Sequence, residues 1–367
     1  MNIIFRADAS TQIGTGHVMR CLTLADSLSA GGANCHFICK ELNGNLISLI
    51  ETRDHCVFSF KPDLKSFDPR STLGLYESWL GSTQASDACS SIGYVRNVKP
   101  DWVVVDNYSL DSSWEKLLSP YCSNMLVVDD LANRQHECDL LVDQTVLRSK
   151  DIYKDKVNYD CRVLCGSQYS LLRPEFRDLR QKGKNKSLAD QPFKILLSLG
   201  GVDKNDDTSK VIEALIECDL PGNAEIIIVM GPKAPFIEQV LEKKKLLPYP
   251  SAVLTGVTNM AELMSDSHIC IGGAGSSSWE RCCMGLPSVT VILADNQNTI
   301  ARNLEISGAA IAINVVDLRK SLNTAIKKLV TGWNSYRDAC LDIVDGYGSS
   351  RVVRAMEEIV SGVENDG

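Results

Sequence analysis

The chain reads as an α/β protein built from two doubly wound domains, and three observations predict this. Its 367 residues are 44 % hydrophobic, enough to fill two ordinary cores. Trp102-Val103-Val104-Val105 and Met125-Leu126-Val127-Val128 are continuous apolar runs, the pattern of strands covered on both faces of a parallel sheet. Beyond a polar stretch at 181–191 the strand and helix alternation begins again, with strands that stop at glycine.

In order along the chain, the expected strands of the first half are 2–7, 34–39, 56–60, 102–106, 125–129 and 140–143, several with helical stretches between them. The first runs through Ile3, Ile4 and Phe5 to Arg6, Ala7 and Asp8. Gly14 and Gly16 then loosen the chain before His17. Val18, Cys21, Leu22, Ala25 and Leu28 follow at i, i+3, i+4, i+7 spacing, which predicts an amphipathic helix with His17 in its first turn. In parallel sheets functional groups collect at strand carboxyl ends, where Asp8, Asp106, Asn107 and Asp129 fall.

Residues 181–191, rich in Lys, Asn, Ser and Asp, read as a solvent-exposed linker, so the expected domains are 1–180 and 192–345. The second is expected to hold strands ending at Gly200-Gly201, Gly231-Pro232 and Gly272-Gly273. Residues 333–362 are helical in composition but broken by Gly346 and Gly348, so 346–367 is expected to be a C-terminal helix and tail that packs back across the cleft.

Net charge of −8 and a pI of about 5.3 argue against wholesale nucleic-acid binding and favour a small-molecule partner, since a local positive pocket is invisible in such totals. The 14 cysteines contain no Cys-x-x-Cys and several lie in apolar patterns; with no secretory leader they read as reduced, buried thiols rather than a disulfide or zinc framework. No apolar run approaches the ~18 residues that span a bilayer. The expectation is a cytoplasmic protein with no membrane partner, no metal and no cofactor.

His17 is the candidate catalytic residue. At the first turn of a helix the backbone N–H groups and the macrodipole disfavour positive charge, which suits an imidazole that must accept a proton. A lone loop histidine also serves as a hydrogen-bonded structural residue, and on pattern alone both readings stand.

The second candidate site is Gly272-Gly273-Ala274-Gly275-Ser276-Ser277-Ser278-Trp279-Glu280, which follows a strand and opens a helix. Gly273 and Gly275 let the backbone approach a diphosphate, while Ser276 and Ser277 supply donors. Glu280 can accept from both hydroxyls of a ribose. A glycine-rich turn needed only for close strand–helix packing is the alternative.

Other polar residues are less informative. Asp129 and Asp130 invite comparison with metal-dependent transferases, but adjacent residues on an extended chain point to opposite sides, so a metal-free site is expected and Asp130 reads as a helix or turn cap. His36, His55, His136 and His268 form no ligand spacing and read as structural or surface residues. Asp8 is a candidate to orient His17 or Arg20, or simply ends its strand. Tyr108 is expected to line a sugar pocket or to pack.

The opening series Arg6, Asp8, Ser10, Ile13, Gly14, Gly16, His17, Met19, Arg20, Cys21, Leu22 resembles the signature of the UDP-2,4-diacetamido-2,4,6-trideoxy-β-L-altropyranose hydrolases of pseudaminic acid biosynthesis. Asp129-Asp130-Leu131-Ala132-Asn133-Arg134, Cys138-Asp139-Leu140-Leu141-Val142-Asp143-Gln144, Tyr169-Ser170-Leu171-Leu172-Arg173-Pro174-Glu175-Phe176 and the 272–280 segment resemble its later blocks. The likeness does not reach 61–98 or the last thirty-odd residues. It implies the glycosyltransferase-B architecture, two Rossmann-like domains facing across a cleft, with sugar site and catalytic His17 in the first domain and UDP in the second. By this resemblance Asp8, Gly14, Gly16, Arg20 and Tyr108 serve the substrate, and Glu280 holds the ribose. Val257 and Met260 lie by the uracil, Asn296 and Gln297 reach the sugar or diphosphate, and Asn259 faces the reaction centre.

Hydrolysing an ordinary glycoside needs an acid for a poor leaving group and a second carboxylate for the nucleophile. A nucleoside diphosphate leaves as a stable anion, so donors can replace the acid and one base for water suffices. The expected reaction is water attack at the anomeric carbon with inversion, His17 taking the proton and UDP and free sugar as products. The alternatives are an inverting UDP-sugar glycosyltransferase with a sugar or lipid acceptor, a hydrolysing epimerase, and a UDP-sugar-binding protein without catalysis.

Overall fold

The computed structural model describes residues 1–63 and 76–362. The chain opens with β1 (Asn2–Ala7), α1 (Gly16–Ala30), β2 (Asn34–Lys40), α2 (Ile47–Glu51), β3 (Cys56–Phe60), α3 (Glu77–Leu80) and α4 (Gln84–Val98). It continues through β4 (Trp102–Asp106), α5 (Ser112–Leu118), β5 (Asn124–Val128), β6 (Leu140–Asp143) and β7 (Arg162–Cys165). Then come α6 (Pro174–Lys184), β8 (Phe193–Ser198), α7 (Asp207–Ile216), β9 (Ala224–Met230), α8 (Ile237–Lys244), β10 (Ser251–Thr255) and α9 (Met260–Asp266). The last elements are β11 (Ile269–Gly273), α10 (Ser277–Cys283), β12 (Ser288–Ile292), α11 (Asn298–Ile306), β13 (Ala310–Asn314), α12 (Leu318–Thr331), α13 (Trp333–Ile343) and α14 (Gly348–Ser361).

These form two compact units, one of residues 1–171 together with the segment from Tyr347 onward, the other of residues 172–346. In the first, seven parallel strands lie in the order β3-β2-β1-β4-β5-β6-β7; in the second, six lie in the order β10-β9-β8-β11-β12-β13. Each sheet reverses its direction of growth once, between β1 and β4 and between β8 and β11. Such switch points leave an opening at the strand carboxyl ends where the loops part, the place where open α/β sheets bind ligands.

Strand alternation sorts the first unit's core. Trp102 and Val104 of β4 pack with Ile3, Phe5 and the apolar stripe Val18, Cys21, Leu22, Ala25 and Leu28 of α1, while Val103 and Val105 face the opposite layer with Trp114 and Leu118 of α5. The second unit has its own core, from Phe193 to Trp333.

The linker expected at 181–191 is displaced. Its first four residues complete α6, and α6 belongs to the second unit: Arg180 donates to the carbonyls of Cys283 (2.8 Å) and Leu341 (2.7 Å), and a Cβ on Gly183 would stand 2.1 Å from the Met284 carbonyl oxygen. Buried contacts on α6 are few, Phe176 and Gly183, so its polar composition disguised it. The C-terminal helix α14 joins the first unit, where Val352, Ala355 and Met356 enter the same cluster as Ile3 and Val18. The strands β7, β10, β12 and β13 were not foreseen. Among the described residues no helix is long and apolar enough to cross a membrane.

Candidate functional site

In the first unit, the β1–α1 loop is closed by a two-way bridge between Ser10 and Gly14, with the Ser10 hydroxyl accepting from the Gln12 and Ile13 amides (3.1 and 2.9 Å). Gly14 sits at φ +86°, a conformation that disfavours a side chain. α1 starts at Gly16, and His17 and Arg20, three apart, extend its buried face beyond the apolar stripe. Across the switch point, β4 pairs with β1 so that Asp106 stands beside Ala7. Asp106 shares parity with Trp102 and Val104, so its carboxylate faces α1.

The resulting cluster is tightly bonded. His17 Nδ1 lies 2.6 Å from Asp106 Oδ1, Arg20 Nη2 donates to the same oxygen (2.7 Å), and Arg20 Nε donates to Asp106 Oδ2 (2.5 Å). Arg20 Nη1 donates to Asp130 Oδ2 at 2.9 Å, and the Tyr108 hydroxyl donates to Asp130 Oδ1. The Tyr108 ring meets the His17 ring edge-on at 4.5 Å.

Burial alone would raise the Asp106 carboxyl, but the Arg20 charge and the hydrogen bonds from Arg20 and His17 hold it well below the usual carboxylate range. Burial likewise opposes ionisation of Asp130, and Arg20 and the Tyr108 hydrogen bond overcome it. Burial and the Asp130 charge push the Tyr108 phenol up, so it remains a donor. An ionised carboxylate only accepts, so the Asp106 contact assigns the hydrogen of a neutral His17 ring to Nδ1 and leaves the lone pair on Nε2. Nε2 has no hydrogen-bond partner among the described residues, and His17 is 8 % exposed.

Several expectations are corrected here. Asp8 neither orients His17 or Arg20 nor is free for substrate: it is 1 % exposed, pairs with Arg6 (2.8 Å), and accepts from the Lys40 amide (2.7 Å) and Asn107 Nδ2 (3.0 Å). Asp106 is the residue that orients both. Asp130 is not a cap, because Arg20 and Tyr108 occupy it; the turn is capped by Asp129, which accepts from the Ala132 amide at 2.8 Å and from Arg134 at 2.9 Å. Arg20 is only 7 % exposed and locked between two carboxylates, so it supports the cluster from within rather than reaching a substrate. The four other histidines have internal partners: His36 with Tyr94, His55 with Asp26, His136 with Glu115, and His268 with the Lys194 amide.

In the second unit, the 272–280 segment leaves β11 at that sheet's switch point. Ser276 is exposed, Gly275, Ser277 and Glu280 are half-buried, and Gly273 is buried. Burial raises the Glu280 carboxyl while the Arg173 charge opposes the shift; no donor among the described residues holds its oxygens. Val257 lies between β10 and α9, Met260 opens α9, and Asn259 Nδ2 donates to Glu262 (2.9 Å). Asn296 and Gln297 follow β12, with Gln297 Oε1 accepting from the Leu293 amide (3.0 Å), so it shapes its own loop.

The sequence placed His17 correctly in the first turn of α1. It placed Asp106 at a strand carboxyl end among other candidates, but did not pair it with His17 and Arg20.

Residues 163–338 match the family described as Glycosyltransferase family 28 C-terminal domain. The chain is 25 % identical over 301 residues, 82 % of its length and 95 % of the relative's, to the UDP-2,4-diacetamido-2,4,6-trideoxy-beta-L-altropyranose hydrolase of Campylobacter jejuni. It is 26 % identical over 303 residues to the uncharacterized protein MJ1062 of Methanocaldococcus jannaschii, where the match covers 81 % of this chain but 56 % of the relative. A further match, 25 % over 209 residues, is the spore coat polysaccharide biosynthesis protein SpsG of Bacillus subtilis, with 55 % of this chain and 60 % of the relative covered.

Among solved structures, MurG of Acinetobacter baumannii superposes with a TM-score of 0.68 at 15 % identity over 97 % of this chain and 99 % of the other. CalG4, the calicheamicin glycosyltransferase, does so with a TM-score of 0.65 at 12 % identity over 99 % of each. The chain therefore has the glycosyltransferase-B fold, matches the glycosyltransferase family 28 C-terminal domain through 163–338, and over most of its length resembles the Campylobacter altropyranose hydrolase.

Proposed function

We propose that this chain is a metal-independent UDP-sugar hydrolase acting on UDP-2,4-diacetamido-2,4,6-trideoxy-β-L-altropyranose. The second unit holds the UDP, with Glu280 on the ribose and Gly273, Gly275, Ser276 and Ser277 on the diphosphate. His17 Nε2 takes a proton from water as the water oxygen bonds to the anomeric carbon. The bond from that carbon to the diphosphate oxygen breaks, UDP leaves as an anion, and the free sugar, 2,4-diacetamido-2,4,6-trideoxy-L-altrose, has inverted configuration. The observation that carries this is the Asp106–His17 contact of 2.6 Å, which fixes the ring with its basic nitrogen unoccupied. The substrate assignment rests on the similarity to the altropyranose hydrolase.

A second reading is favoured by the family 28 match: an inverting transferase in which an acceptor hydroxyl replaces water. One incubation separates them. With the nucleotide sugar in ¹⁸O water and a chelator, and no acceptor, the hydrolase releases UDP and places the label in the sugar alone. Label in UDP would show attack at phosphorus and overturn the mechanism; no UDP without an acceptor would favour the transferase. Tight binding with no turnover under any of these conditions would leave a binding protein.

A further inference from the structure

The fully buried cations of the first unit are matched to carboxylates. Arg6 meets Asp8 and Asp87, Lys40 meets Asp87, and Arg20 meets Asp106 and Asp130. Arg281, the first residue after Glu280, breaks this rule. It is 2 % exposed, and no carboxylate oxygen of the described residues lies within ion-pair distance of it. Its guanidinium donates only to neutral oxygens: Nη2 to the Gly273 carbonyl and to Ser278 Oγ (both 2.9 Å), and Nη1 to Ser277 Oγ (3.2 Å). Nε has no hydrogen-bond partner among the described residues.

Space is reserved for this group. A Cβ on Gly272 would stand 2.6 Å from Nη1, so the glycine at the end of β11 makes room for the guanidinium beneath the turn. A buried charge without a counter-charge is costly, and a fold that needed only packing here would gain from an apolar residue of similar volume. The charge therefore points to an anion absent from the free protein. The geometry also sets the polarity of the serines. A hydroxyl whose lone pair is taken by a guanidinium N–H has its own hydrogen left to donate, and Ser277 is half-buried at the turn.

We propose that Arg281 is a positioning residue for the diphosphate: it supplies the positive charge beneath the glycine–serine turn and holds Ser277 and Ser278 as donors toward the two phosphoryl groups. This deepens the reading that the 272–280 segment binds UDP and rests on it. In the reaction the same charge favours departure of UDP, because negative charge grows on the diphosphate as the carbon–oxygen bond breaks.

Calorimetric titration of the full chain with UDP and with uridine tests this, alongside R281M, R281K and melting curves without ligand. The expected result is that R281M binds UDP roughly 10- to 100-fold more weakly and uridine as well as wild type does. R281K should recover part of the UDP affinity, and unliganded R281M should melt at or above the wild-type temperature. If R281M binds UDP as wild type does, or fails to fold, the guanidinium is structural and the inference falls while the UDP site stands. If the wild-type chain binds UDP no better than uridine, the diphosphate site itself is wrong and both readings fall.

Discussion

Asp106 receives four donors on two oxygens: His17 Nδ1–H, Arg20 Nη2–H, Arg20 Nε–H and, at 3.7 Å, the Cys21 thiol. An amide in its place must turn its NH₂ toward one of them. Either it repels the guanidinium, or it forces His17 to present a lone pair at Nδ1 and place its hydrogen on the nitrogen that should act as base. D106N should therefore lower kcat by about 10²–10⁴-fold with a much smaller change in UDP affinity, and H17A should lower it by about the same factor. Steady-state kinetics with UDP titration check this, and a kcat near wild type in either variant would remove His17 from the chemistry. The depressed carboxyl of Asp106 fixes a sign as well. Its ion pairs contribute stability above the ordinary carboxylate range, lost only as pH falls through its lowered value, so any fall in activity near neutrality does not come from Asp106. Part of this cluster was legible: His17 falls in the first turn of the helix that the apolar stripe predicts, and Arg20 stands three residues on. The pairing of Asp106 with them needs the strand order β1-β4, which no local pattern encodes across a separation of 89 residues.

The clearest strand in the sequence is one covered on both faces, β4, all five of whose residues are buried. β7 and β10 escaped because their mixed burial gives neither a continuous run nor a clean alternation. α6 escaped for the opposite reason, its polar residues concealing a helix held at Phe176, Arg180 and Gly183. α14 was read as a helix, yet its docking partner was not, and that partner is decided by contact at its first residue. A Cβ on Gly348 would lie 2.1 Å from the Ser170 carbonyl oxygen and 2.6 Å from the Ser170 nitrogen, both backbone atoms that cannot swing aside. G348A should thus push α14 off its seat and destabilise the protein by about 1–3 kcal/mol. Thermal or urea denaturation measures this; a melting temperature within a degree of wild type would mean that the helix start tolerates a side chain and that the close approach does not matter. G93A, where a Cβ meets nothing within 4 Å, is the control and should be neutral or mildly stabilising.

The chain is arranged as one unit inserted within another, since residues 172–346 are contiguous while the first unit is completed only when the chain returns at Tyr347. This asymmetry predicts how each piece behaves alone. Every member of the second unit's core cluster, from Phe193 to Trp333, lies inside 172–346, so that fragment keeps its whole apolar interior. The fragment 1–171 loses Val352, Ala355 and Met356 of α14, which are 0–2 % exposed in the cluster that α1 and β1 share. Burying Val and Met side chains contributes about 1.5–3 kcal/mol each, so their loss removes about 3–6 kcal/mol, comparable with the whole stability of an ordinary domain. The fragment 172–346 should unfold cooperatively, and on the proposed reading it should still bind UDP, because Glu280, Arg281 and the 272–280 turn are all within it. The fragment 1–171 should bind hydrophobic dyes and melt without a sharp transition. Because Gly348 rests on Ser170, the two ends left by excising 172–346 lie side by side, and a short Gly-Ser linker from Leu171 to Tyr347 should restore a cooperative first unit. A cooperative transition for 1–171 without α14, or none for the relinked form, would show that the helix is an ornament on a core complete without it.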